Sequence, residues 1–375
     1  MRFRDIDAFR HVNNAAFVTY IEQARIRYLI DILKLDAVER AGADALRFGL
    51  AWQATDSQNI PFGEEHIDAG RRFANKIWNA ARLVLSAFEG GVPALPALDV
   101  LTLPERWLLS RHDACLEEVD GALDQYRYAE AAQAIHRFLW SEFCDWGLEV
   151  EKGRLRSDEP DERDAASTAL AWVLERTLRI LHPIMPFVTE EIWQRVDTGG
   201  ESIVIAPWPE RHPEHRDPEA EVRFGFGQDV VTTVRRFRKS HGLRDQLALA
   251  ARVHGTEAQR EILGALRPEI QRLAAISTLE VLERPGDPAG SARLSADGAQ
   301  LLIPLAGVLD PEVERARIGK RMGEIEAAAA RSEAKLSSEG FVAKAPAAVV
   351  EEERRRLAEA KEEAATLAAQ LDELG

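Results

Sequence analysis

The sequence predicts a mainly α fold: a helical bundle, a small α/β module and a C-terminal antiparallel coiled-coil hairpin. Three patterns predict it. From Arg72 to Phe88, the apolar residues Phe73, Ile77, Ala80, Ala81, Val84, Leu85 and Phe88 recur at helical spacing, with Arg72, Lys76, Asn79 and Arg82 on or beside the other face. After residue 198 the text changes to short strand-like runs, LALAARVHG, STLEVLERP and AQLLIPLAG, with a helical stretch between the first two. In the last part, Ile318, Met322, Ile325, Ala329 and Leu336, and then Leu357, Ala360, Ala364, Leu367, Leu371 and Leu374, alternate at heptad spacing.

Composition bounds the function. The 375 residues suffice for two or three domains, and 46% hydrophobic with 30% charged residues fits a soluble globular protein. A net charge of −15 argues against a generally basic nucleic-acid binder, so a polyanion must be met by local basic patches. Cys115 and Cys144 lie far apart and no Cys/His cluster is present, which predicts neither a zinc site nor a disulfide framework and fits a reduced cytoplasmic setting. No apolar run reaches membrane-spanning length and the N-terminus lacks the apolar core of a signal peptide. The expectation is a cytoplasmic monomer with no membrane association and no metal.

Taken in order, residues 1–35 predict a short strand ending near Phe3, a turn with Asp5, Asp7 and Asn13–Asn14, and a helix from about Ala15 with Phe17, Ile21, Ala24, Tyr28 and Ile32 inward. Residues 36–62 read as two short helices and a loop, with Asp44 placed to cap the helix ALRFGLAWQA. Residues 63–197 read as the bundle: a helix from Glu64 to Phe88, a second after Pro104, a third from Tyr128 to Val150 with Phe138, Leu139, Phe143, Trp146 and Val150 as an aromatic-rich stripe, a fourth from Ala165 to His182, and a fifth after Pro186. Residues 198–309 read as the α/β module: ESIVIAPWP as a strand, a helix from Glu221 to Ser240, and the three strands above. Residues 310–375 close as the hairpin. Within the bundle, His182 reads as a packing or hydrogen-bonding residue, because no second ligand type stands at i+4.

At three of these stretches a family resemblance appears. FANKIWNAAR, FLWSEFCDWGLE and LRILHPIMPFVTEEIW, in that order and spacing, resemble the anticodon-binding domain of class I aminoacyl-tRNA synthetases, in detail that of the valyl-tRNA synthetases. EGFVAKAPAAVVEEERRRL resembles the end of the same family, and the likeness runs from about Asp36 to the C-terminus. The resemblance implies an anticodon-binding bundle over 63–197 and a coiled-coil tRNA-binding arm over 310–375. It implies a valine-accepting tRNA as partner, and residues 36–62 as the connector behind a catalytic domain. The whole family attaches valine to tRNA using ATP and Mg; the HIGH and KMSKS signatures and the editing region do not occur in this sequence, so no cofactor is expected on this chain and a separate catalytic part is a possible partner. Before Asp36 the text instead resembles the start of a hot-dog acyl-CoA thioesterase, in which the second aspartate of the D-x-D pair, here Asp7, does the chemistry. Arg10 stands where that family usually has glycine, and no run of strands follows to build its sheet. A change of text near Leu35/Asp36 predicts a fused or misassembled reading frame.

No catalytic constellation stands out: there is no P-loop, GxSxG or zinc spacing. Recognition remains. Unpaired bases are read by stacking on aromatic rings and by polar side chains along their edges. Arg72, Phe73, Asn75, Lys76 and Asn79 are therefore the candidate anticodon-binding residues, Phe73 and its neighbour Trp78 being equally readable as core. Arg235, Arg236, Arg238, Lys239 and Arg244, with His241 among them, form a basic cluster suited to phosphates, or equally the solvated face of a helix flanked by acids. By resemblance, Arg317, Lys320, Arg321, Lys335, Lys344, Arg354 and Arg355 are candidates to meet the tRNA elbow. A tRNA-binding module is the leading expectation; a thioesterase from the N-terminal piece and a helical protein-interaction scaffold are the alternatives. The chain alone is expected to give no valine-dependent pyrophosphate exchange with ATP, and clear exchange would overturn that expectation.

Overall fold

The computed structural model describes residues 42–54, 63–88, 91, 95, 98, 101–196, 198–244, 247–287, 289–308, 311–338 and 347–373, a few of the last two segments by backbone only. The expected elements of residues 1–35, Asp7 included, fall outside them. The chain divides between Phe224 and Gly225 into two compact units.

The first unit is helical. Its elements are α1 (Ala43–Trp52), α2 (Glu64–Ala87), α3 (Leu103–Asp124), α4 (Tyr128–Arg137), a π-helical run over Phe138–Leu148, α5 (Pro160–Leu181) and α6 (Pro186–Trp193). The inward face of α2 is the predicted one: Phe73, Ile77, Ala80, Ala81 and Val84 are buried. Phe73 packs on Phe48 of α1 (ring centres 4.8 Å apart), and Leu46 of α1, Leu108 and Leu116 of α3 and Leu170 and Leu174 of α5 are buried in the same unit. The backbones of α1 and α2 nearly touch at Gly70. A Cβ there would stand 2.4 Å from the carbonyl oxygen of Ala45. A capping box starts α3, where Thr102 and Glu105 bond each other's ends (Thr102 N–H to Glu105 Oε2, 2.7 Å).

Four expectations are corrected in this unit. Asp44 does not cap its own helix, which begins after Gly42; its carboxylate accepts from the backbone N–H groups of Phe187 and Val188 (3.1 and 2.6 Å) at the start of α6. The third helix is not α-helical throughout. Burial over Phe138–Leu148 falls on 138/139, 143/144 and 147/148, a wider repeat than 3.6, so Cys144 and Gly147 enter the core while Trp146 sits at its edge. The fourth helix starts at Pro160 rather than Ala165, with Pro, Asp161 and Glu162 as a favourable first turn. Ile203–Ile205 is a 3₁₀ turn and not a strand; Ser202 Oγ accepts from Val204 N–H, and Val204 and Ile205 are exposed, with no strand of this unit to pair them among the described residues. His182 bonds Thr189 Oγ1 through Nδ1 (2.8 Å), as a hydrogen-bonding residue should.

In the second unit, the C-terminal part of α7 (Pro218–Ser240) leads to β1 (Leu249–His254), α8 (Glu257–Ala265), α9 (Arg267–Ala274), β2 (Ile276–Leu282), β3 (Ser291–Ala296) and β4 (Ala299–Pro304). The strand order is β2-β1-β4-β3, with β1 and β2 parallel and the other pairs antiparallel. The strand β3 was not anticipated, although Asp297–Gly298, both at positive φ, is the two-residue hairpin turn that joins it to β4. The helical stretch between β1 and β2 breaks at Leu266, because Pro268 removes a backbone donor and must sit in a first turn. The hairpin is α10 (Pro311–Ser337) and α11 (Ala347–Glu373). Ile318, Ile325 and Leu367 form its seam, flanked by Met322, Ala360, Ala364 and Leu371. Towards the turn the seam becomes polar: Glu353, buried, accepts from Ser332 Oγ (2.9 Å) and Lys335 Nζ (3.0 Å).

One buried titratable group sets an acid limit on the bundle. His112 is 2% exposed between Phe138 and Trp172, its Nε2 bonds nothing among the described residues, and burial pushes its pKa down to about 3. An imidazole that titrates near 6.5 unfolded and about 3 folded binds more protons in the unfolded chain between those values, so stability is lost as pH falls through that window. Going from pH 7 to pH 5 should lower the unfolding free energy by about 2 kcal/mol more in the parent than in His112→Phe. Urea melts at both pH values measure it, and equal acid sensitivity would remove His112 as the cause.

Candidate nucleic-acid interface

Helix α2 sorts the sequence candidates by face. Phe73 is fully buried, its ring 4.8 Å from Phe48 and 4.7 Å from His136, so it belongs to the core. Arg72, Asn75 and Asn79 are exposed along one side, and Asn79 Nδ2 donates back to the Asn75 carbonyl oxygen (2.9 Å). Trp78 is half-buried with the guanidinium of Arg195 5.0 Å from its ring centre.

Lys76 is held rather than loose. Its ammonium sits 3.9 Å from the ring centre of Trp140 and 2.5 Å from Asp145 Oδ1. Trp140 in turn stacks on His136 (5.4 Å, 20°), which Trp52 meets edge-on at 5.1 Å. Burial, and then the charge of Lys76, lower the His136 pKa, so the shelf is a neutral aromatic surface with one cation above it. Trp140 lies in the first turn of the π-helical run, half-buried beside α2.

Beside the C-terminal half of α2 lies an open cleft of about 830 Å³, lined among others by Leu83, Phe88, Lys152, Arg156, Arg163 and Thr168. Two of its cations, Arg156 and Arg163, come from GRLRSDEPDERD, which reads in the sequence only as a polar loop. The signal was present as basic residues spaced through that loop, but nothing in the sequence says that they converge on the end of α2.

The basic cluster of α7 divides in two. Arg238 is 5% exposed, and its guanidinium donates to the carbonyl oxygens of Ala274 (3.0 Å), Ala275 (2.6 Å), Leu247 (2.5 Å) and Arg244 (3.2 Å). It closes the end of α9, where Ala275 is left-handed (φ 49°), and the entry to β1. Arg235 Nε does the same for Leu273 O (2.9 Å). The expected phosphate contact by Arg238 is therefore corrected to a structural role: four carbonyls at a helix end have taken its donors. His241 is buried against Phe237. Arg236, Lys239 and Arg244 remain exposed on the surface.

In the arm, Lys320 is exposed and Arg321 pairs with Glu363 (2.8 Å) and Glu324 (3.4 Å). Lys335 pairs with Glu353, Arg354 with Glu351, and Arg355 with Glu352 and Glu359. The side chain of Arg317 and all of Lys344 lie outside the described residues. Among the described residues no helix is long and apolar enough to cross a membrane.

Comparison with known proteins marks two segments, the first of which begins after α2 and crosses the boundary between the two units. Residues 105–253 match the family model "Anticodon-binding domain of tRNA ligase", and residues 310–375 match "Valyl tRNA synthetase tRNA binding arm". A valine–tRNA ligase of Carboxydothermus hydrogenoformans is 37% identical over 86% of this chain and 37% of its own length. Those of Streptomyces avermitilis and Thermotoga maritima are 40% and 36% identical, each over 91% of this chain and 38% of their own length. The chain thus spans less than two-fifths of the curated relatives it matches.

Arg238→Ala should destabilise the fold by about 2–4 kcal/mol, while Arg236→Ala stays within about 0.5 kcal/mol. Chemical denaturation of the two variants decides it; equal stability would mean that the carbonyl contacts of Arg238 carry no weight.

Proposed function

From a chain that belongs to the valyl-tRNA synthetase family as its C-terminal part, we propose that this protein binds a valine-accepting tRNA, its helical bundle meeting the anticodon and its C-terminal hairpin the elbow. The observation that carries the reading is the exposed side of α2, where Arg72, Asn75 and Asn79 stand in a row next to the Lys76–Trp140 shelf. An unpaired base needs a flat surface to stack on, edge-reading polar groups and a cation for its phosphate. This side of α2 offers the edge-reading groups and the cation without exposing Phe73, and beside them stands the half-buried indole of Trp140 with Lys76 over its ring. The cleft with Lys152, Arg156 and Arg163 lies at the other end of the same helix and extends the surface available to a single-stranded loop.

In this reading Arg236, Lys239 and Arg244 grip phosphates without reading sequence. ATP and Mg belong to the aminoacylating part of the family, for which this chain carries no recognised signature. The protein works as a tRNA-holding module in the cytoplasm, beside whatever part performs the aminoacylation.

Binding of the purified chain to valine tRNA, to the same tRNA with its central anticodon base changed, and to an unrelated tRNA, each across a salt series, tests this. The changed anticodon should weaken binding, and Asn75→Ala or Asn79→Ala should cost about 1–3 kcal/mol and blunt the discrimination. Arg236→Ala should weaken all three tRNAs alike and reduce the salt slope by about 1. Equal binding of the three tRNAs by the parent chain would sink base readout, and binding of none would leave the helical scaffold.

A further inference from the structure

The turn just before α7 carries a group that the tRNA reading does not use. His212, Glu214 and His215 lie on one 3₁₀ turn, Pro213–His215, and their ligand atoms all fall within 4.8 Å of one another. The turn makes two i→i+3 bonds, His215 N–H to His212 O (2.8 Å) and Arg216 N–H to Pro213 O (3.1 Å). In a 3₁₀ turn residues three apart eclipse. The two imidazoles accordingly stack, 4.7 Å between centres and 19° between planes, and His212 Nδ1 lies 3.0 Å from Glu214 Oε1.

The turn is fastened to the bundle on every side. His212 N–H donates to Asp113 Oδ1 (2.8 Å), Arg216 donates to Ser110 O (2.8 Å), and Asp217 N–H donates to Ser110 Oγ (2.9 Å). The indole of Trp172 supports both rings from below, 5.6 Å from His212 and 5.3 Å from His215. The nearby cations are engaged elsewhere: Arg211 on Asp113 and Glu117, Arg176 on the face of Trp172. Asp113, 2% exposed, anchors the turn from below and is paired with Arg211.

We propose that His212, Glu214 and His215 form a binding site for one divalent transition-metal ion, zinc being the fitting member of the class. Two imidazoles and a carboxylate are the borderline ligands that zinc takes, and three protein ligands leave its fourth tetrahedral position to water. His215 is buried, whereas His212 and Glu214 are exposed enough for His212 to turn out of its stack on His215, so that the in-plane lone pairs of both rings meet one ion, and for all three donors to come to about 2.0–2.2 Å from it. A bound ion would cross-link the ends of this turn. Histidines three apart on a 3₁₀ turn carry neither the paired-cysteine spacing nor the i, i+4 histidine spacing that marks a metal site in a sequence.

Calorimetric titration of zinc chloride into the full chain, stripped of metal by a chelator that is then removed, tests the site. One zinc per chain is expected, with affinity reduced at least about tenfold in His212→Ala and in Glu214→Ala, the loss that even an outer partner of a metal site produces. Both variants alter partly exposed side chains, and unchanged melting in the absence of metal confirms that they fold. No zinc uptake by the parent chain, or uptake of undiminished affinity in both variants, would overturn the proposal.

Discussion

Helix ends that finish inside a protein leave carbonyl oxygens without partners, and in this molecule arginine supplies them. Arg238 gathers four carbonyls where α9 ends and β1 begins, and Arg235 takes a fifth. In the bundle Arg47 donates to Pro183 and Ile184 (2.7 and 2.9 Å), just where two prolines interrupt the chain between α5 and α6. Arg267 holds Leu279 on β2 (2.8 Å), and Arg179 holds Pro207 (2.9 Å). A planar fork with several fixed donors suits the task in a way that lysine does not. Removing Arg238 would take a donor from each of four carbonyls, of which those of Ala275 and Arg244 keep a backbone N–H, so the loss falls mainly on Ala274 and Leu247.

The same commitment explains how an acidic chain manages its charges. Arg111 pairs with Glu142 through two bonds of 3.0 Å and with Glu221 at 2.9 Å, and those carboxylates keep its guanidinium charged. Glu175, 4% exposed, is shared by Trp193 Nε1 (2.9 Å) and Arg179 (2.7 Å). Such buried pairs add little net stability but penalise any packing that separates them, so they fix the register of α3, α5 and the elements they meet. Exposed cations such as Arg72 on α2, Arg156 at the cleft and Arg236 on α7 stand on the surface, open to a polyanion.

How much could be read from the sequence follows from which physics is local. Apolar periodicity gave the inner face of α2 and the seam of the hairpin, because burial of one face dominates there. It failed over Phe138–Leu148, where a wider helical repeat changes which aromatics face inward while leaving the composition unchanged. It failed at Ile203–Ile205, where β-branched residues look like a strand but have no sheet in their unit. The turn Asp297–Gly298 was readable and implied β3; the strand itself, SARLSA, is too polar to announce itself. Asp44 was recognised as a cap, yet its helix was misidentified, since a cap supplied across the fold leaves no mark at its own position in the chain. At the candidate interface the identities of Arg72, Asn75 and Asn79 were legible from the polar face of one helix. The shelf of Trp140, His136 and Trp52 was not, because it draws on three segments.

The arm shows the limit of counting charges. Every one of its candidate cations whose side-chain partner is described, Arg321, Lys335, Arg354 and Arg355, lies against a glutamate on its own or the opposite helix. Exposed pairs of this kind are worth little and exchange readily, so a phosphate can displace the carboxylate at small cost. Each displacement, however, leaves an acid beside the phosphate, and the net attraction is less than the number of basic residues suggests. The apolar seam holds the shape and length of the hairpin, with Lys335 kept for the seam by the buried Glu353. The bundle is the opposite case: Lys76 is fixed over the Trp140 ring and beside one acid, and Arg72 stands exposed on the same helix.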